Sequence, residues 1–241
     1  MLKFLHIFRV DKIIAVSSTA FLTFVNTRKA NNIKAMNDTV LINQIPYNLD
    51  DTLQDCWHRL INGAVSARHP FHCPSIATIK DDFPEIRTVV LRKVLQEERT
   101  LIFHTDSRSP KINQIKGNNR ISWLFYDPKA RIQLRIKTVS TIHQGDEFSA
   151  KRWNDSTVES RRCYLVQPAP STIAKFPTDG LPENLDLSNL PEEIMTAASE
   201  NFSVVKNIVM EIDWLFLNHD GHRRAKFIFG EHEVQKFWMI P

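Results

Sequence analysis

The sequence has 241 residues, of which 42% are hydrophobic and 24% are charged. This composition excludes a wholly disordered chain and a polytopic membrane protein, and the length favours a single domain with a substantial core. The net charge of +4 gives no argument for nucleic acid as a partner, because residues 1–35 carry six basic residues against Asp11 alone and residues 36–241 therefore carry −1.

Residues 1–35 form a basic extension ahead of a single predicted domain at residues 36–241. Its longest apolar run, residues 13–25, is interrupted by hydroxyl residues and is shorter than the about 20 residues that a membrane-spanning helix needs. We therefore expect no membrane attachment. Three origins of the extension stay open, namely a start codon assigned too early with Met36 as the true start, a targeting leader, or a genuine arm.

Hydrophobic periodicity predicts one helix followed by a series of strands. Apolar residues recur every three or four positions over residues 49–64, which is typical of an amphipathic helix. The period then changes to two, and segments rich in Val, Ile, Thr and aromatic residues predict strands at 75–79, 87–95, 100–105, 121–126 and 131–142. Five closely spaced strands with only one short helix between them, at 109–116, favour an antiparallel barrel or sandwich.

The second half of the sequence returns to strands after a long irregular stretch. Residues 146–165 are predicted to be helical, and residues 167–191 contain five prolines and are predicted to form an ordered surface excursion. A helix at 193–199 and strands at 204–212, 225–229 and 235–240 follow. We therefore expect a mainly β domain with flanking helices.

The cysteines and glycines exclude several kinds of site. Cys56, Cys73 and Cys163 form no C-x-x-C pair, which argues against structural zinc and for a reducing compartment, so we expect a cytoplasmic protein with no metal. None of the six glycines fits G-x-G-x-x-G or a P-loop. A bound phosphate must therefore be held by side chains or by a helix N-terminus.

One segment has the pattern of such a phosphate site. After the predicted strand ending at Thr105, the run D-S-R-S-P-K leads into a helix in which Ser109 is a candidate N-cap and Pro110 suits the first turn. The N–H groups of that turn together with Lys111 would attract an anion. Arg87 and Arg92 are five residues apart on one predicted strand, so a bulge or strand end is needed for both to reach one ligand.

Several ordered motifs resemble one known family. The runs R-T-V-V-L-R from Arg87, L-I-F-H-T-D-S-R-S-P-K-I-N-Q-I from Leu101, N-N-R-I-S-W-L-F-Y from Asn118 and R-I-Q-L-R-I from Arg131 are similar to the pyridoxamine 5′-phosphate oxidase superfamily of FMN-binding split barrels. The C-terminal runs I-D-W-L-F-L, G-H-R-R-A-K-F and W-M-I-P extend the resemblance. The sequence looks closer to the FMN-binding group of unassigned substrate than to the true oxidase.

The resemblance implies a six-stranded antiparallel split β-barrel that forms a homodimer with FMN at the subunit interface. Arg87 matches the arginine that reaches the FMN phosphate, Ser109 and Lys111 match the phosphate motif, and Gln133 matches the glutamine at the flavin edge. The full set of implied FMN-binding residues is Arg87, Thr88, Val89, Arg92, His104, Thr105, Ser109, Lys111, Gln133, Trp214 and Arg224. We expect Arg87, Arg92, Lys111 and Arg224 to converge on one ligand.

Two departures from the family pattern concern the substrate. Asp220 stands where the oxidases have a substrate-binding arginine, although His222 keeps the neighbouring histidine, and Gln167 is followed by a proline instead of a serine. Arg161, in a run of charged residues, is a further candidate for contact with a substrate anion. We name no catalytic acid or base, because a flavin itself carries the redox chemistry.

Four functions are consistent with these residues. The leading hypothesis is an FMN-dependent oxidoreductase that passes a hydride from a small substrate to FMN. The alternatives are authentic pyridoxamine or pyridoxine 5′-phosphate oxidation, a flavin-binding protein without catalysis, and, with less support because no axial histidine is identifiable, a haem-degrading split barrel.

Overall fold

The structure is a computed structural model that describes residues 39–42, 44–182 and 190–241. The chain divides into two units, up to Asn48 and from Leu49 to Pro241. In the first unit, β1 (Val40–Ile42) and β2 (Ile45–Tyr47) form an antiparallel pair. The predicted extension and part of the predicted proline-rich excursion lie outside the described residues, and the boundary predicted at residue 36 stays a prediction.

The second unit is mainly antiparallel β, as the sequence predicts. Its described strands are β3 (Ser75–Lys80), β4 (Phe83–Thr88), β5 (Leu91–Leu95), β6 (Thr100–Asp106), β7 (Arg120–Asp127), β8 (Ile132–His143), β9 (Phe202–Phe216), β10 (Arg223–Phe229) and β11 (Val234–Met239). Its described helices are α1 (Leu49–Val65), α2 (Pro110–Gly117), α3 (Glu147–Asn154), α4 (Val158–Arg161) and α5 (Glu192–Glu200), and a 3₁₀ turn covers Arg162–Tyr164.

Six of these strands close into a barrel. Strand pairing runs in the order β3, β7, β8, β9, β6 and β5, with every pair antiparallel. Backbone hydrogen bonds complete the ring, because the N–H of Val89 donates to the carbonyl of Pro74 and that of Leu91 donates to the carbonyl of His72. The predicted split-barrel fold class is confirmed.

The split arises where β9 exchanges one neighbour for another. Residues 202–208 of β9 pair with β6, whereas residues 211–216 pair with β10. Between them, Met210 is an extra residue opposite β8, where the register shifts between Lys137 and Thr138. Such a bulge increases local twist, so the two halves of β9 diverge and β10 and β11 extend the sheet beyond the barrel.

Alternation along the strands divides the side chains between two faces. Trp123 and Phe125 on β7 point into the barrel, where the Trp123 ring lies 5.6 Å from the ring of Phe103 on β6. On β6, His104 points to the opposite face, beside a second buried cluster that includes Trp153, Tyr164 and Phe202. Thr105 therefore lies on the barrel side of β6 and His104 on the outside.

Two predicted elements are interrupted in the structure. The strand predicted at 87–95 is wrong as a single element, because the chain leaves the ladder at residues 89 and 90 and divides it into β4 and β5. The β4 strand also begins earlier than predicted, after a turn in which Asp81 and Asp82 have positive φ angles of 48° and 65°. The helix predicted at 146–165 is likewise broken, since Thr157 caps a separate helix, α4.

No helix in the described part of the chain is long and apolar enough to cross a membrane. The described residues also contain no group of three or more His, Cys, Asp or Glu side chains arranged to hold a metal ion.

Candidate functional site

Polar side chains meet where β6 ends and α2 begins. The Nζ of Lys111 donates hydrogen bonds to Thr105 Oγ1 at 3.1 Å and to Ser109 Oγ at 2.5 Å. Ser109 occupies the N-cap position and Pro110 the first turn, as predicted, but the Ser109 hydroxyl makes no capping hydrogen bond because it bonds to Lys111 instead. The sequence thus directs a lysine and two hydroxyl groups to one helix N-terminus.

Arg87 reaches the same place from the end of β4. Its Nη2 donates to Gln114 Oε1 at 2.9 Å, and its Nη1 donates to the carbonyl of Glu85 at 2.7 Å and to the hydroxyl of Thr78. Thr78 in turn donates to Gln114 Oε1 at 2.5 Å. Because Thr78 and Gln114 are both buried, they fix the direction in which the Arg87 guanidinium points. We call Arg87, Thr105, Ser109, Lys111 and Gln114 the cradle.

The cradle has more positive charge than its neighbours neutralise. Burial, and then the charge of Arg87, lower the pKa of Lys111, while Asp106 raises it. Burial also lowers the pKa of Arg87, against a smaller opposite effect of Glu85. Among the described residues, no carboxylate lies within 4.0 Å of the Lys111 Nζ, and the exposed Glu85 is 3.4 Å from Arg87. A bound anion would supply the missing counter-charge.

The chemistry of the cradle fits the phosphate of FMN. It offers a guanidinium, an ammonium and two hydroxyl groups, which together match a dianionic phosphate with several acceptor oxygens. The Nε2 of Gln114, a residue only 7% exposed, has no hydrogen-bond partner among the described residues. An unpaired buried donor on a residue that already contacts the Arg87 guanidinium is costly unless an acceptor joins it, so this atom also favours an anion here.

A second cavity, of 220 Å³, opens on the outer side of β6. Arg92, Lys93 and Arg152 bring three cations to it, against the single carboxylate of Asp155. Its remaining lining residues are His104, Ser156, Thr157 and Ser160. Three cations and three hydroxyl groups suit a small anionic ligand, so we call this cavity the basic pocket.

His104 is neutral in the basic pocket. Burial, together with the charges of Arg92 and Arg152, lowers its pKa from 6.5 to about 3. Its ring lies 4.9 Å from that of Phe202 at an interplanar angle of 72°, which packs one side of the imidazole against the aromatic cluster. At neutral pH the residue therefore adds no charge to the pocket.

A third concave surface lies on the outer face of the sheet formed by β3, β7, β8, β9 and β10. This outer groove has a volume of 480 Å³, and its walls include Leu124, Arg135 and Arg224. Asp213, also in the groove, accepts hydrogen bonds from both arginines. The groove thus combines apolar surface with two oriented guanidinium groups.

Gln133 shares this outer face, but Trp214 does not. Gln133 is the cross-strand partner of Leu215, and Leu215 is the partner of Arg224, so these three side chains lie on one side of the sheet. Trp214 has the opposite orientation and is 0% exposed, with its ring 6.4 Å from that of Trp238. The structure therefore does not bring Trp214 together with Gln133 and Arg224.

The four cations predicted to converge on one ligand occupy three places in a single chain. Arg87 and Lys111 meet in the cradle, Arg92 lines the basic pocket and Arg224 lines the outer groove. Arg87 is the cross-strand partner of Ile76, whose side chain is buried inside the barrel. The Arg87 side chain therefore lies on the face of β4 opposite to the outer groove. One chain therefore does not assemble the whole predicted set into one site.

The remaining predicted residues are placed as follows. Thr88 lies exposed at the end of β4, and the N–H of Val89 already donates to Pro74. Arg161 donates to the carbonyls of Trp153 and Asn154, so its guanidinium closes the C-terminal end of α3 and does not line the basic pocket. His222 is exposed in the turn before β10. Their roles in ligand binding stay predictions.

Sequence reasoning missed several residues of these surfaces. Gln114 lies one helical turn after Lys111, so helical spacing was the available signal for it. Arg152 lies in the last turn of α3 and Ser156 follows that helix, where no such spacing applies. Asp213 directly precedes Trp214 in a buried strand. Carboxylates are rarely buried without a partner, so a cation was to be expected beside it. Which cation it meets depends on strand register, which the sequence does not show.

The central region of the chain matches a known family model. Residues 54–144 match the family model described as pyridoxamine 5′-phosphate oxidase, FMN-binding domain. The chain is 31% identical over 122 residues to the pyridoxine/pyridoxamine 5′-phosphate oxidase of Aliarcobacter butzleri, which covers 45% of this chain and 57% of that protein. The chain thus spans little more than half the length of this curated relative.

Solved structures share the fold. A pyridoxamine 5′-phosphate oxidase-related, FMN-binding protein from Nostoc punctiforme has a TM-score of 0.61 at 20% identity, covering 78% of this chain and 97% of that one. PhzG from Burkholderia lata, solved with tetrahydrophenazine-1-carboxylic acid, has a TM-score of 0.57 at 17% identity, covering 79% and 91%.

Proposed function

We propose that this protein is an FMN-dependent oxidoreductase acting on a small anionic substrate, because residues 54–144 match the family model of the pyridoxamine 5′-phosphate oxidase FMN-binding domain. When bound, FMN supplies the acceptor for a hydride from the substrate, and oxygen or another acceptor reoxidises it. The chain's own residues bind and orient the two molecules. A cytoplasmic location accompanies this proposal as an expectation.

The observation that carries the proposal is the surplus of positive charge in the cradle. Arg87 on β4 and Lys111 on α2 are brought together at an electrostatic cost, which the lowered pKa values of both groups reflect. Neutral side chains would serve a structural role equally well. A bound phosphate, in contrast, offsets the unfavourable burial and repulsion of the two cations through charge-assisted hydrogen bonds. Thr105 and Ser109 already lie within hydrogen-bond distance of the lysine.

The basic pocket supports an anionic substrate. His104 and Thr105 are consecutive residues on β6, so the pocket and the cradle lie on the two sides of one strand. Arg92 and Arg152 in the pocket would bind a phosphate or carboxylate, and the neutral imidazole of His104 leaves that charge balance unchanged. The pocket therefore selects for negative charge without supplying a general base.

A homodimer is part of the proposal, because one chain leaves the site incomplete. The cradle lies on the inner face of β4, whereas Gln133 and Arg224 lie on the outer face of the sheet. A second copy would let the outer groove of one protomer meet the flavin held in the cradle of its partner. Exposed apolar side chains on this face, including Ile86, Leu124 and Tyr126, favour such contact.

The test of the proposed function is binding and turnover by the purified protein. We expect bound or readily restored FMN, seen as visible flavin absorbance, and an elution volume that corresponds to a dimer. Reduction of the flavin by an anionic donor and its reoxidation by oxygen would support the enzyme. Failure of the apoprotein to bind added FMN would overturn the assignment, and stable binding without turnover by any donor would leave a flavin-binding protein.

Oxidation of pyridoxamine or pyridoxine 5′-phosphate is a second candidate, favoured by the similarity to the Aliarcobacter butzleri enzyme and by the cations of the basic pocket. Against it, Asp220 would place a carboxylate where a phosphorylated substrate requires a cation. Hydrogen peroxide and pyridoxal 5′-phosphate produced from either compound would establish this activity. No product at saturating concentrations would exclude it while leaving FMN binding intact.

A further inference from the structure

A buried carboxylate organises the outer groove. Asp213 on β9 is 5% exposed, and its carboxylate accepts three guanidinium hydrogen bonds. Arg224 donates two of them, from Nε to Oδ1 at 3.0 Å and from Nη2 to Oδ2 at 2.7 Å. Arg135 donates the third, from Nη2 to Oδ2 at 2.8 Å. The carboxylate thus bridges arginines from two strands that flank its own.

This geometry fixes the orientation of Arg224. A guanidinium that donates two parallel hydrogen bonds to one carboxylate is held in the carboxylate plane, which a single contact does not achieve. Asp213 uses the Nε edge of Arg224, so the N–H groups of Nη1 are not engaged by it. Those donors belong to a residue that lines the groove.

Stability alone is a weak reason for this arrangement. Replacing a buried ion pair with apolar residues of similar volume is often neutral or stabilising. The two arginines also outnumber the carboxylate, so the cluster leaves one positive charge facing the groove.

Glu211 provides an internal comparison. It lies two residues before Asp213 on the same strand and lines the same groove, and it also contacts two cations. Those cations are the lysines Lys137 and Lys226, whose Nζ atoms lie 3.3 and 3.5 Å from Glu211 Oε1. These contacts lack the planar two-bond geometry, so Glu211 supplies the same charge without orienting a guanidinium.

We propose that Asp213 is a positioning residue that holds Arg224 in the orientation needed to contact bound FMN. This role rests on the proposed function, in which the outer groove of one protomer faces the flavin. Asp213 itself does not touch the flavin and acts through the arginine. Its removal should therefore matter only while Arg224 is present.

A double-mutant cycle tests this dependence. The dissociation constant of FMN would be measured by fluorescence quenching on the full-length apoproteins of wild type, D213N, R224A and the double variant. We expect D213N to raise the dissociation constant about tenfold, and the double variant to bind no more weakly than R224A. E211Q, which removes the same charge from the same groove, should change the constant less than threefold.

Several outcomes would overturn the role of Asp213. Equal effects of D213N and E211Q would mean that only charge matters, and additive effects of D213N and R224A would mean that Asp213 acts independently. If D213N fails to fold, R224K replaces it, because a lysine keeps the charge but loses the two-bond geometry. Wild-type affinity in R224K would refute the role, whereas absence of FMN binding by wild type would refute the proposed function itself.

Discussion

Replacing Lys111 with glutamine separates ligand binding from folding. The substitution removes the positive charge but keeps a side-chain donor for the hydroxyl groups of Thr105 and Ser109. Lys111 lies at the N-terminus of α2, where the helix dipole disfavours a cation, and close enough to Arg87 for their charges to repel. The lysine thus lowers the stability of the protein without ligand and strengthens the binding of a phosphate.

The expected effects have opposite signs. A charge-assisted hydrogen bond contributes about 1.5–3 kcal/mol, so Lys111→Gln should weaken FMN binding about 10- to 150-fold. Relief from the helix dipole should leave the free energy of unfolding of the apoprotein unchanged or raise it by about 0.3–1 kcal/mol. Lys116→Gln, in the last turn of the same helix, should lower that free energy by a similar amount and leave FMN affinity unchanged.

The assay is FMN titration of both variants together with urea unfolding of their apoproteins. Reducing the salt concentration should enlarge the difference in FMN affinity between wild type and Lys111→Gln, because the lost interaction is partly Coulombic. Wild-type affinity in Lys111→Gln would refute the assignment of the cradle. A larger loss of apoprotein stability in Lys111→Gln than in Lys116→Gln would refute the electrostatic reasoning.

Three further predictions concern stability. His104 has a folded pKa of about 3 against 6.5 when unfolded, so it opposes folding increasingly as the pH falls from 6.5 to 3. Between neutral pH and pH 4, His104→Gln should therefore lose less unfolding free energy than wild type, by an amount on the order of 3 kcal/mol, as measured by urea unfolding at each pH. Arg161→Ala should lower the free energy of unfolding by about 1–2 kcal/mol without changing FMN affinity, because the contacts of Arg161 lie within the protein. Unchanged stability with weaker FMN binding would instead indicate that Arg161 contacts a ligand. Gly63→Ala should lower the unfolding temperature despite the better helix propensity of alanine, since the added Cβ would lie 2.8 Å from the Cβ of Phe71. A stabilised variant would show that the segment around Phe71 moves to accommodate the methyl group.

Local residue chemistry predicted only part of the cradle, namely Ser109 and Lys111 at the start of α2. Only a few residues separate Lys111 from Ser109 and Thr105. A strand followed directly by a helix that begins at a proline therefore places the three side chains close together. Arg87 was assigned to the same ligand by family resemblance, and the structure brings it there through Gln114. The contacts among Lys111, Ser109 and Thr105 are close in sequence, whereas the binding of a ligand by these residues stays a prediction.

The surfaces built across strands were beyond the same reasoning. Arg92 and Arg224 were expected beside Arg87, but Arg92 lies at a register shift of β5, between Leu91 and Lys93, and lines the basic pocket. Alternation in β9 and β10 sends Arg224 to the outer face and Trp214 to the core. A change of one residue in register reverses the face of every side chain in a strand, and the bulges at Met210 and Arg92 make such changes that the alternation pattern alone does not locate.

The sequence by itself determined the β-rich fold class, the absence of glycine-based nucleotide motifs and the grouping of hydroxyls with a lysine at one helix start. These properties follow from composition, periodicity and short-range spacing. The tertiary structure alone decided that β9 exchanges β6 for β10 at Met210, and that Asp213 thereby meets arginines from two neighbouring strands. The physical reason is that pairing between distant strands, with its bulges and register, fixes which charges become neighbours.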